Sequence, residues 1–273
     1  MVVDDRWERA GRVAGHAAAV AMTPYLLIKA SWVVGSLLGV LPTGADLGLA
    51  EWVAVNTITM GMAATAIAVA LALVRPWGER LPGRALVAFS WLGAGFLVPV
   101  LPYAVAGLAT IQDDGEMPVW EGVLIQGGFI GMGLGLAVAL PAYFHRRWPA
   151  ALDGRLGDHP LRDVPTALAV TVLAVPWGVW AVQQNAMVVL LAAWAAAGVV
   201  ASWCLATGRP ASWPRWPVLA LAWLGSGSLF AWSAWKLPIS AFVETAGPPW
   251  ANLLGLLAGV LMLRSLLVGG GAR

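Results

Sequence analysis

The chain has only two lysines, and both fall inside long apolar runs. An ammonium in hydrocarbon is expensive, so such a group faces a bundle interior and pairs, or it marks a functional site. Lys29 lies about 24 Å from the start of its run, at ~1.5 Å per residue, with more apolar sequence still to follow. Lys236 lies nearer the end of its run and has the plainer option of snorkelling to an interface. Three carboxylates are candidate partners at the same level. Glu51 and Glu121 each open an apolar run, and Glu244 lies in a short connection. An ammonium and a carboxylate in apolar surroundings form a donor and acceptor set suited to general acid–base chemistry. Asn56, with Thr57 and Thr59, carries the polar stripe further along its run, and Gln126 does the same after Glu121. The plainer reading of Glu51 and Glu121 is that a first-turn acid complements the helix dipole. Asp113, Asp114 and Glu116 surround Gly115 and read as a solvated loop.

Seventeen tryptophans accompany these groups. Trp7, Trp77, Trp148, Trp213, Trp216 and Trp250 fall where interfacial aromatic belts form. Trp32, Trp180, Trp194, Trp203, Trp223 and Trp232 fall deeper. Packing explains most deep indoles, and the sharper reading is an aromatic wall whose faces stabilise a cation. The candidate catalytic set is therefore Glu51, Glu121, Glu244 and Lys29. The candidate substrate-binding set is Lys236, Asn56, Gln126, Trp32, Trp223 and Trp232. No cofactor and no metal is expected. His145 and His159 share a connection with Asp153 and Asp158, at a spacing that matches no ligand motif. The sequence contains no GxxxxGK[ST], no HExxH and no GxSxG, so the chain is not an ATPase by itself.

Composition says what must position these groups. Of 273 residues, 60% are hydrophobic and 11% charged, with mean hydropathy +0.77. A soluble domain carries roughly 25% charged residues, so most of this exterior must face lipid. Eight apolar runs are read, at about 13–41, 52–74, 85–111, 119–144, 164–182, 186–207, 217–240 and 247–268. Each is long enough for a bilayer core, which needs about 20 residues. The first run follows Arg6, Arg9 and Arg12 but is far longer than a signal-peptide core, and reads as a retained helix. Gln183, Gln184 and Asn185 are the sole polar break in a stretch too long for one crossing, so a tight hairpin is placed there.

All fourteen arginines fall at the N-terminus, in the second, fourth and sixth connections, or at the C-terminal end. The other connections carry none, and hold Asp46, Glu51, Asp113, Asp114, Glu116, Glu121 and Glu244. Cytoplasmic loops carry the arginine excess. The expected fold is therefore an all-α, polytopic helix bundle of the cell membrane, with eight transmembrane helices and both termini cytoplasmic. The net charge of +2 follows from the loop arginines and points to no nucleic-acid partner. Cys204 reads as a small hydrophobe.

Trp91-Leu92-Gly93-Ala94-Gly95-Phe96-Leu97 matches Trp223-Leu224-Gly225-Ser226-Gly227-Ser228-Leu229, and Pro118-Val119-Trp120 matches Pro248-Pro249-Trp250. These matches suggest a 4+4 parallel internal repeat. The halves would be residues 1–144 and 164–273, with 145–163 a cytoplasmic loop. Gly35 and Gly39, Gly127, Gly131 and Gly135, and Gly255 and Gly259 recur at four-residue spacing. Packing inside one bundle is the plainer reading, and a homo-oligomer seam through these Gly-rich faces is the sharper one.

The polar groups gather at one end of the runs, which implies a one-sided pocket toward the extracytoplasmic face. Partners are then the lipid bilayer and a lipophilic small molecule. The favoured function is an intramembrane enzyme acting on a lipid or isoprenoid by glutamate acid–base chemistry. In broad profile (small, loop-poor, dependent on acids and aromatics) the chain is similar to integral-membrane terpene cyclases, although it shares no motif with them. A small-molecule transporter, exporter or self-resistance permease is the alternative. A binding or sensor subunit that meets a partner through the 145–163 loop is a further one.

Overall fold

The structure is a computed structural model that describes residues 5–44, 47–112, 117–158, 160–239 and 247–269. It is helical throughout, and the described residues contain no strand. The order is α1 (Asp5–Leu37), α2 (Leu49–Ala72), a 3-10 turn (Pro76–Arg80), α3 (Gly83–Leu97), α4 (Leu101–Leu108), α5 (Val119–Arg147), α6 (Pro149–Leu152), α7 (Val164–Ala181), α8 (Ala186–Thr207), α9 (Arg215–Ile239) and α10 (Pro249–Gly269). Among the described residues seven helices, α1, α2, α5, α7, α8, α9 and α10, are long and apolar enough to cross a membrane. Seven such helices are compatible with a multi-pass membrane protein. Their exposed side chains are large and apolar, such as Val172, Val175 and Val179 on α7 and Val200 on α8. Lipid solvates such a surface, whereas water does not.

The 85–111 run is not one straight helix. α3 and α4 meet at a 46° bend, and only together are they long and apolar enough to cross a membrane. Pro99 lies in the break. Proline lacks the N–H that would continue the ladder, and its ring collides with the carbonyl four residues earlier. The last regular bond before it runs from Val98 N–H to the Ala94 carbonyl at 2.9 Å.

α1 is longer at its start and shorter at its end than its apolar run. Its first turns carry Arg6, Arg9 and Arg12, where Arg12 pairs with Glu8 at 3.7 Å. It stops at Gly39, whose φ of +67° few side-chain-bearing residues adopt. Gly39 N–H bonds the Ser36 carbonyl at 3.1 Å and Val40 N–H the Gly35 carbonyl at 2.9 Å. These are the paired bonds of a Schellman cap. Gly35 and Gly39 therefore end a helix, where the four-residue spacing suggested a packing face.

The chain groups into two compact units, residues 1–86 with 101–143 and residues 87–100 with 144–273. In the first, α1 and α5 approach through small residues. A Cβ on Gly131 would meet Ala21, and one on Gly135 would lie 2.8 Å from the Ala14 carbonyl oxygen. Gly127 faces open space. In the second, Val170, Ala174, Trp177 and Ala181 of α7 recur at helical spacing and bury against Val188, Leu191, Ala192 and Ala195 of α8 and Ala251, Ala258 and Met262 of α10. Gly259 of α10 lies against the Ser226 carbonyl and Phe230 of α9.

α7 and α8 lie either side of Gln183–Asn185, and the Asn185 side chain caps α8 by accepting from Val188 N–H at 3.2 Å. The connection before α7 folds back onto the far end of α8. Leu161 and Arg162 N–H groups bond the Leu205 and Ala206 carbonyls at 2.8 and 3.0 Å, filling acceptors that a helix end leaves open. Leu156 of the same connection buries against Ala201, Leu205, Val218 and Ala222.

Candidate functional site

In the first unit two helix stripes face each other. Tyr25, Lys29 and Trp32 follow one another on α1 at spacings of four and three. Trp52, Asn56 and Thr59 do the same on α2. Residues so spaced share a helix face. The Lys29 ammonium donates to Asn56 Oδ1 at 2.9 Å. Asn56 is buried, and its Nδ2 donates to the Trp52 carbonyl one turn back at 2.9 Å. That second bond fixes the amide so that its oxygen meets the cation.

Aromatic faces complete the cradle. Lys29 Nζ lies 4.1 Å from the centroid of the Trp32 ring and 5.6 Å from that of Tyr25. Trp32 stacks on Trp52, with centroids 5.6 Å apart and ring planes 28° apart. Thr59 Oγ1 donates to the Asn56 carbonyl at 3.0 Å. Each cation–π contact contributes on the order of 0.5–2 kcal/mol, more where water is excluded.

Glu121, in the first turn of α5, joins from a third helix. Its Oε2 accepts from Trp32 Nε1 at 3.1 Å, and its charge attracts Lys29. The ammonium and the carboxylate thus hold the same indole by different parts, the ring face and the N–H. Near this group Ser36 Oγ and Trp52 Nε1 are buried without a hydrogen-bond partner among the described residues.

The other candidates lie elsewhere. Glu51 turns away from Lys29 and caps its own helix, accepting from Gly48 N–H at 2.9 Å. Gln126 Nε2 donates to the Ala104 carbonyl at 2.9 Å and ties α5 to α4. Glu244 lies outside the described residues. Lys236, Trp223 and Trp232 belong to the second unit. Lys236 Nζ lies 5.7 Å from the Trp180 ring centroid. Trp232 stacks on Phe96 at 4.4 Å and donates from Nε1 to the Phe96 carbonyl at 3.1 Å. Trp223 makes an edge contact with Phe144 at 5.3 Å, and its Nε1 is buried without a partner among the described residues. Trp223 precedes Lys236 by about 20 Å of helix, at ~1.5 Å per residue, so these two do not share a site.

Of the sequence candidates, then, Lys29, Asn56, Trp32 and Glu121 come together. Thr59 of the polar stripe lies beside them, and Tyr25 and Trp52 join them unforeseen. Their signal was the matched helical spacing around Lys29 and Asn56.

The second unit holds a different polar contact. Trp91 Nε1 donates to Ser226 Oγ at 2.9 Å, and Ser226 in turn donates to the Trp223 carbonyl at 3.0 Å. At the same crossing Gly95 meets Gly227. A Cβ on Gly227 would lie 2.7 Å from the Trp91 carbonyl oxygen and 3.0 Å from the Gly95 Cα. No family model, no curated protein and no solved structure matches the chain.

Proposed function

We propose that the chain is an eight-span protein of the cell membrane, with both termini cytoplasmic, and that it acts on a lipophilic substrate in the extracytoplasmic half of the bilayer. The bent pair α3–α4 is the third crossing. The alternation of arginine-bearing and arginine-free connections supports this count, because an odd number of crossings would break it.

In this reading the Lys29 cluster is the reaction centre, and Glu121 is its general acid or base. One observation carries it: Trp32 presents its ring to the ammonium and its N–H to the carboxylate, at 4.1 and 3.1 Å. The two charges are held near each other through an indole instead of being spent in a direct ion pair. Asn56 takes one of the three N–H donors that an ammonium carries, so Lys29 keeps donors for a polar head on the substrate. The carboxylate can then exchange a proton with the reacting group. The aromatic faces of Trp32, Tyr25 and Trp52 suit an apolar body and shield developing positive charge.

The test compares lipid extracts of cells carrying the wild-type chain, Lys29→Ala, Glu121→Gln or no chain. A species that depends on the wild type and disappears in both variants supports the enzyme. If both variants, inserted at normal levels, keep the wild-type extract, the cluster is not the site.

A second reading, export of a lipophilic compound, draws on the internal repeat. Equivalent glycines of the matched segments, Gly95 and Gly227, touch each other, as related positions do on an axis between two copies of one motif. Unchanged extract chemistry with altered partitioning between cells and medium favours this reading.

A further inference from the structure

Arg215 opens α9 and keeps only 7% of its surface exposed. Its Nε is buried and has no hydrogen-bond partner among the described residues. The ion pair between Glu8 and Arg12 lies on α1 and does not involve it. A guanidinium cannot shed its charge in a protein, and removing it from water without an anion is strongly unfavourable. Its position adds to the demand, since the first turn of a helix is the positive end of the dipole, where cations are disfavoured and anions favoured. The backbone holds it there: Arg215 N–H bonds the Gly154 carbonyl at 3.1 Å, and Leu156 N–H the Trp213 carbonyl at 3.0 Å.

The surroundings indicate where the missing anion comes from. Trp213 and Trp216 flank Arg215 and are 54% and 59% exposed. Exposed indoles at the end of a membrane helix settle at the level of lipid headgroups. Phosphate matches a guanidinium by two parallel N–H donors, and it also suits a helix N-terminus. We infer that the Arg215 end of α9 binds a phosphate group, and that the headgroup phosphate of an anionic phospholipid supplies it, between Trp213 and Trp216.

The test uses the full chain in neutral detergent, with thermal unfolding followed in added phosphatidylglycerol, phosphatidylcholine or inorganic phosphate. Phosphatidylglycerol is expected to raise the wild-type midpoint by about 3 °C or more, and phosphatidylcholine to do much less. Arg215→Gln should lose most of that shift. It should also be no less stable than wild type without anionic lipid, because it removes an uncompensated charge, and less stable with it. Arg209→Gln changes an exposed arginine of the same connection and should keep the shift. An equal response of the wild type to both lipids, or a full response of Arg215→Gln, overturns the inference. Should Arg215→Gln fail to fold, the wild-type comparison of the two lipids decides alone. Protection by inorganic phosphate as strong as that by phosphatidylglycerol assigns the site to a soluble anion and overturns the lipid source.

Discussion

The Lys29 ammonium meets Asn56 Oδ1 at 2.9 Å, across the faces of two neighbouring helices. A cation placed in an apolar run is thereby answered by a neutral amide and two aromatic rings, and the Glu121 carboxylate holds the N–H of one of those rings. The pair should therefore be coupled. Asn56→Leu leaves the ammonium without its acceptor and should destabilise by about 1–3 kcal/mol. In the Lys29→Met background the same change should cost much less. Unfolding of the four proteins in one detergent gives the coupling directly. Additive losses would mean that the contact contributes nothing.

Glu51 and Glu121 open their helices in the same way in sequence but do different work in the fold. Glu51→Gln should lower stability by less than about 1 kcal/mol, the usual scale of a helix-end interaction, and leave function intact. Glu121→Gln should abolish function while the protein still inserts. Measured activity in both variants, against expression in the membrane fraction, separates them.

Gly95 cannot carry a side chain, because backbone atoms of Gly227 occupy the space. Gly95→Ala should destabilise by about 1–3 kcal/mol, as overpacking does. Gly61 of α2 has open space where a Cβ would go, so Gly61→Ala should be neutral or gain up to about 1 kcal/mol of helix propensity. Parallel unfolding curves of the two variants check the contrast.

Asp163 caps α7 by accepting from Thr166 N–H at 3.3 Å. Burial works to raise its pKa, but hydrogen bonds from Thr166 and Ser265 and the charge of Arg264 outweigh it and hold the carboxyl below the usual carboxylate range. A depressed folded value stabilises the fold above the unfolded value, near ~3.9, and that stability is lost as pH falls through the folded value. Asp163→Ala should therefore cost about 1 kcal/mol at neutral pH. The difference from wild type should shrink below about pH 4. Unfolding midpoints at pH 7 and at the acid end of the stable range test the sign.

Much of the helix inventory is legible in the sequence because hydrocarbon demands long apolar runs and water demands polar breaks. Gln183–Asn185 divides α7 from α8 on that ground, and Gly208, with φ +67°, closes α8. Local backbone chemistry is less legible. An apolar count passes over Pro99, whose missing N–H breaks the third run, and reads Gly35 and Gly39 as a packing stripe when they form a cap. The Glu51 cap was readable, since the acid stands three places after Gly48. Lys29 and Glu121 stood out as charges in the wrong solvent. Their connection through Trp32 did not, because it depends on which helices touch, and spacing along one helix cannot say which partner its face meets. Trp52 is illegible in the sequence for the same reason: only the stack on Trp32 distinguishes it from other indoles.

Everything proposed for the Lys29 cluster depends on α3–α4 crossing the bilayer as one bent span, which sets the side on which each later connection lies. The most direct measurement is labelling of single cysteines at Arg80 and Thr110, both exposed and one on either side of the pair, in a Cys204→Ala background with a membrane-impermeant maleimide. Arg80→Cys should react only after the membrane is opened, and Thr110→Cys in intact cells. Reaction of both in the same compartment would make the pair a re-entrant segment, and the eight-span arrangement would fail.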